Sequence, residues 1–160
     1  MEVYLVDGTY ELFRYHFAPN NKDSQFGATK GVLGSVLTLL ERGTVSERLE
    51  GVSYGRAVTG NDERITAALF SRLLEDPSVN VRLAAIEALR PLASRPDRRG
   101  QLVDAVVAQK SPLVAISLID VLLEADRTTG ARKRLQELTN DPQLDPAIRG
   151  YLRDRLGRSA

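Results

Sequence analysis

Glu75–Ala93 reads EDPSVNVRLAAIEALRPLA. Asp76-Pro77 is a helix stop, because proline lacks the amide donor and disfavours the α conformation in the residue before it. Downstream of the stop a helix runs over 79–93, with Val81-Arg82 near its start; upstream, residues 62–75 form another. Two helices joined by Asp-Pro make a hairpin, and similar punctuation recurs along the chain. Arg95-Pro96-Asp97 precedes a helix over about 98–109, and Lys110-Ser111-Pro112 precedes one over 113–125. Residues 129–139 form a further helix, and Asp141-Pro142 with Asp145-Pro146 introduces a last one over 146–156.

The hairpins repeat in register. Val81, Val114 and Ile148 stand 33 and then 34 residues apart. Leu83, Ile116 and Gly150 follow in the same phase, as do Leu89, Leu122 and Leu156, while Leu69, Leu102 and Leu135 mark the first helices. A two-helix unit has an apolar face it cannot bury alone, so stacked units share one continuous core. Three units are about the minimum for stability. The fold class expected is mainly α, a solenoid of about three helical hairpins over residues 44–160.

Glu75–Ala93 resembles a HEAT repeat, chiefly through its Pro-then-Val-Arg opening of the second helix. Arg48-Leu49-Glu50-Gly51-Val52-Ser53-Tyr54-Gly55-Arg56-Ala57, then Asp62-Glu63-Arg64-Ile65, then Ser111-Pro112-Leu113-Val114, is similar to the HEAT region of a bacterial group. In that group a zinc-binding anti-sigma-like domain and a membrane helix precede the repeats. The resemblance implies a regulatory interaction module, with partners bound on the surface of the second helices. The zinc-binding domain and membrane helix have no counterpart in these residues, so control of a sigma factor is not carried over. On the second helices, Glu87, Asp120 and Asp154 share one repeat phase. Stacking aligns them as an acidic stripe, a candidate site for a basic partner segment. The alternative is that Glu87 pairs with Arg90 on a solvated helix face, worth only ~0.2–0.5 kcal/mol.

Residues 1–43 are a different kind of sequence. Val3-Tyr4-Leu5-Val6 reads as a short buried strand, residues 18–27 as a loop, and 29–41 as a helix with Val32, Val36, Leu37, Leu39 and Leu40 apolar. Residues 45–58 read as helix too, although Gly51 and Gly55 count against it. Leu5-Val6-Asp7-Gly8-Thr9-Tyr10-Glu11-Leu12-Phe13-Arg14 and Gly27-Ala28-Thr29-Lys30-Gly31-Val32-Leu33-Gly34 resemble the opening of the 5′→3′ exonuclease family, the fold shared with flap endonucleases. The resemblance implies that Asp7 is the first carboxylate of a divalent-metal site. Phosphodiester hydrolysis needs several convergent carboxylates to hold the cation, and the match ends near Glu41, before any of them. Asp7 is therefore expected to be vestigial. The junction near residue 43 reads as a natural fusion or as a chimera.

His16, the only histidine, has no accompanying triad or ligand spacing. Gly27, Gly31 and Gly34 lack the Lys-Ser/Thr ending of a phosphate-binding loop. With no cysteine the chain has no disulfide, thiol catalysis or thiolate-held zinc, which fits the cytoplasm. A net charge of +1 lacks the basic excess of a generic nucleic-acid binder, and no apolar run reaches the ~18 residues of a membrane span.

The expected function is a non-catalytic protein-protein interaction scaffold. It has no cofactor or metal, and its protein partner is not identified. The alternatives are an inactive fragment of a metal-dependent exonuclease and a DNA-binding HEAT protein. For the latter, Arg95, Arg98, Arg99 and Arg132-Lys133-Arg134 supply charge, but Tyr54, Phe70 and Tyr151 are almost all the repeats offer for base stacking. A small-molecule site lacks a convergent polar cluster to support it.

Overall fold

The computed structural model describes residues 24–125 and 130–157, with side chains from residue 31 onward. The strand expected at residues 3–7, Asp7 and His16 lie outside the described residues. Among the described residues there is no strand, and the chain forms eight α-helices. These are α1 (Ser24–Arg42), α2 (Val45–Arg56), α3 (Glu63–Glu75), α4 (Val79–Leu89), α5 (Pro96–Ala108), α6 (Pro112–Ala125), α7 (Gly130–Leu138) and α8 (Pro146–Gly157).

Local chemistry sets most of the boundaries. Thr44 and Glu47 form a capping box at the start of α2: the Thr44 hydroxyl accepts from the Glu47 amide, and the Glu47 carboxylate accepts from the Thr44 amide at 2.6 Å. The Asp62 carboxylate caps α3 by accepting from the amides of Arg64 and Ile65. Pro96, Pro112 and Pro146 each occupy the first position of their helix, where no amide donor is needed.

Two expected boundaries differ. The helix read over 79–93 is α-helical only to Leu89 and tightens to a 3₁₀ turn over Arg90–Leu92, because Pro91 cannot donate the next i→i−4 bond. The loop read over 18–27 is helical from Ser24. Ser, Gln and Gly resemble loop composition, but propensity is a weak prior beside a helix whose later turns are packed.

The helices pair as α1/α2, α3/α4, α5/α6 and α7/α8. First helices touch first helices along the chain, α1 to α3 to α5 to α7, and second helices do the same, α2 to α4 to α6 to α8. Two layers result, with the apolar seam between them. The columns Leu69, Leu102, Leu135 and Val81, Val114, Ile148 are all buried in that seam. Fully burying one such side chain is worth ~1.5–3 kcal/mol.

Residue 43 does not interrupt the packing. Val36 and Leu40 of α1 belong to the same core as Val52, Ile65 and Leu69. Gly51 and Gly55, which count against a helix on propensity alone, are both buried inside α2. A Cβ on Gly51 would stand 3.0 Å from the Leu40 amide nitrogen on α1, and one on Gly55 would stand 3.2 Å from Ile65 Cγ2 on α3. At both glycines α2 lies in close approach to a neighbouring helix.

Candidate interaction surfaces

Polar side chains tie each hairpin to the next. At the loop end, the Asp76 carboxylate is fully buried and accepts from Arg48 Nε at 2.6 Å and Nη2 at 3.1 Å. It also accepts from the Ser78 amide at 2.9 Å, which holds the Asp-Pro turn. Arg48 Nη1 donates to the Gly43 carbonyl at 2.7 Å, so one guanidinium joins the loops of two successive hairpins. The next loop repeats the device with weaker chemistry. Gln109, 33 residues after Asp76, donates from Nε2 to the Leu73 carbonyl at 2.9 Å and accepts from Arg82 Nη1 at 3.4 Å. Arg82 Nε is buried with no hydrogen-bond partner.

On the layer of second helices, the Arg90 guanidinium sits between two carboxylates. Its Nη2 and Nε donate to Glu87 at 2.7 and 3.0 Å, and its Nη1 donates to Glu124 on α6 at 2.8 Å. The hydrogen bond from Arg90, aided by the charges of Arg90 and Arg56, holds the Glu87 carboxyl below its ordinary value. Asp120 on α6 accepts at one oxygen from the Tyr151 hydroxyl at 2.6 Å and from Arg155 Nε at 3.0 Å, both on α8. Burial, then the bond to Asp120, pushes the Tyr151 phenol up. Asp154 is exposed on α8. Glu87, Asp120 and Asp154 thus lie on α4, α6 and α8, but two of the three already hold arginines. The Glu87–Arg90 pair weighed as the alternative to an acidic stripe is present.

The layer of first helices carries a groove the sequence does not announce. Between α3 and α5 lies an open depression of about 570 Å³ with Ala67, Phe70, Leu74, Ala105 and Ala108 on its apolar part. At one end Glu63 takes both terminal nitrogens of Arg98, at 2.9 and 2.6 Å, and this contact lowers the Glu63 pKa. Toward the other end are Asp104, which accepts from Arg134 of α7 at 2.9 Å, and Glu75. Leu74, at 40% exposure, is among the large apolar side chains most open to solvent. Opposite charges near the repeat spacing were the available signal: Glu63–Arg98 and Asp120–Arg155 are each 35 apart, and Arg90–Glu124 is 34 apart.

No protein-family model, curated protein or solved structure matches this chain. Among the described residues, no group of three or more His, Asp or Glu is placed to hold a metal ion. No described helix is long and apolar enough to cross a membrane.

Proposed function

We propose that the chain is a non-catalytic protein-interaction scaffold, a stack of HEAT-type helical hairpins with a regulatory role. The observation that carries this reading is the ordered two-layer stack itself. Hairpin follows hairpin, each helix meets the next one of its own layer, and buried columns recur at 33 and 34 residues. Such stacks present long surfaces whose side chains are set by the repeat rather than by a single cavity. The Asp-Pro opening and Val81-Arg82 add the HEAT-like feature, and ion pairs join successive repeats across the surface.

The test uses the full-length chain as bait in its own cells, with quantitative mass spectrometry, alongside a nuclease assay of the purified protein. A protein partner recovered near one-to-one, with no cleavage of flapped or duplex DNA in Mg²⁺ or Mn²⁺, is the expected result. Metal-dependent cleavage that disappears in Asp7→Ala would overturn the scaffold reading in favour of an exonuclease. Tight, salt-sensitive duplex binding would instead favour a DNA-binding protein.

A further inference from the structure

Successive first helices do not pack equally. α1 lies closely along α3, and α5 meets α7, whereas α3 and α5 touch least of the three neighbouring pairs. The groove occupies that gap. Its floor carries the small side chains of Ala67, Ala105 and Ala108, and α3 and α5 are bridged at one end by Glu63 and Arg98. Phe70 and Leu74 line its α3 side.

Charge distinguishes its possible occupants. The titratable residues lining the groove are Glu63, Glu75, Asp104 and Arg98, three acids against one base. Arg98 is taken by Glu63, and Asp104 by Arg134. Glu75 is exposed beside Leu74 and accepts a 3.4 Å hydrogen bond from the Ser71 hydroxyl. An incoming cation therefore finds a carboxylate next to an apolar anchor point.

The protein itself shows which chemistry settles against α5. On the far side of α5 from the groove lies α7, whose sequence GARKRLQEL carries Arg132-Lys133-Arg134 and buries Ala131 and Leu135. Arg134 reaches over Gly100 of α5, where a Cβ would stand 3.0 Å from its Nη1, and donates to Asp104. A short basic amphipathic helix is thus what covers one flank of α5, while the other flank is open.

Resting on the scaffold reading above, we infer that the α3/α5 groove is the docking site for a basic amphipathic helix of a partner protein. Its apolar face lies over Phe70, Leu74 and Ala108, and a lysine or arginine pairs with Glu75. Such helices present anchors at i, i+3/i+4 and i+7. The added ion pair gives orientation and salt dependence more than raw affinity.

The test measures fluorescence anisotropy of two labelled helical peptides with the full-length chain. Both carry leucines at i, i+4 and i+7; one is flanked by lysines and the other by glutamates. The lysine-flanked peptide binds about three- to fivefold tighter, and added salt narrows the gap. Glu75→Lys reverses the preference, and Ala108→Trp, which fills the open floor at an exposed position, weakens both peptides. Glu137→Lys, exposed on α7, leaves binding unchanged, and circular dichroism confirms that each variant melts as a folded protein. Equal binding of the two peptides, or no effect of either groove variant, overturns the assignment. Binding of a small apolar dye with no peptide binding also overturns it, in favour of a small-molecule site. If the cellular partner is captured undiminished by Glu75→Lys and Ala108→Trp, the groove assignment fails while the scaffold reading stands.

Discussion

Gly51 and Leu40 meet backbone to backbone: a Cβ added to Gly51 would lie 3.0 Å from the Leu40 amide nitrogen and 3.0 Å from Leu39 Cβ. This contact sets how near α1 comes to α2, and through it the helix before residue 43 joins the core of the helices after it.

Gly51→Ala is accordingly expected to destabilise the protein by about 1–3 kcal/mol, since the obstructing atoms are backbone and a β-carbon rather than a flexible tip. The usual helical preference for alanine acts the other way. Gly150 is exposed on α8, and a Cβ added there would meet nothing within 4 Å, so it isolates that preference. Gly150→Ala should stabilise by about 0.5–1 kcal/mol. Urea titrations of both variants decide the point, and two changes of the same sign would refute the close-approach account.

The Arg48–Asp76 pair is buried and joins two hairpins. Asp76→Ala leaves the Arg48 guanidinium, 12% exposed, without its bidentate acceptor and should cost about 3–5 kcal/mol. Replacing both residues with alanine should cost clearly less than the sum of Asp76→Ala and Arg48→Ala. Additive losses in that double-mutant cycle would mean the two side chains do not act as a pair.

Gln109 and Arg82 predict opposite outcomes at adjoining sites. Gln109→Ala strips the Leu73 carbonyl of its donor inside the protein, a loss of about 1–3 kcal/mol. Arg82→Met removes a buried Nε that has no partner and gives up only a 3.4 Å bond, so stability should hold or rise slightly. Thermal melts of the two proteins measured together check the contrast.

Stability should fall in acid. The Arg64 side-chain contact and the α3 amides hold the Asp62 carboxyl below its ordinary 3.8, and the Arg90 contact holds Glu87 below 4.5. A carboxyl with a lowered folded pKa contributes stability that is complete above its unfolded value. That contribution is lost as pH falls through the folded value. The unfolding free energy should therefore be flat above about pH 5 and decline below it. Asp62→Asn, which keeps a capping acceptor but not the charge, should flatten the decline. Tyr151 has the opposite sign: its raised phenol pKa contributes stability present below pH 10 and lost as pH climbs through the folded value. An acid limb unchanged in Asp62→Asn would show that the cap contributes through its hydrogen bonds alone.

Much of the helical order was legible in the residues. Proline at 96, 112 and 146 starts helices because its missing donor is harmless there, and the leucine and valine columns had to be inward because the hairpins share a core. The glycines were misleading for a physical reason. In a sequence Gly51 shows only its entropic cost, whereas its benefit is a close approach to α1 that exists only after packing. The acidic phase of Glu87, Asp120 and Asp154 was likewise visible, and so was Arg90 as a neighbour for Glu87, but not Arg155 and Tyr151, which reach Asp120 from α8.

The sequence by itself therefore determined the punctuation and the phase: where helices stop, which faces turn inward, and the 33-residue step that brings like positions together. Those follow from local backbone chemistry and from the need to bury apolar side chains. Only the tertiary structure decided that α1 enters the same core, that Glu63 and Arg98 clasp across 35 residues, and that α3 and α5 part to leave a groove. Each of these depends on interhelical distances, and small residues such as Gly51 and Ala105 control those distances through what they fail to occupy.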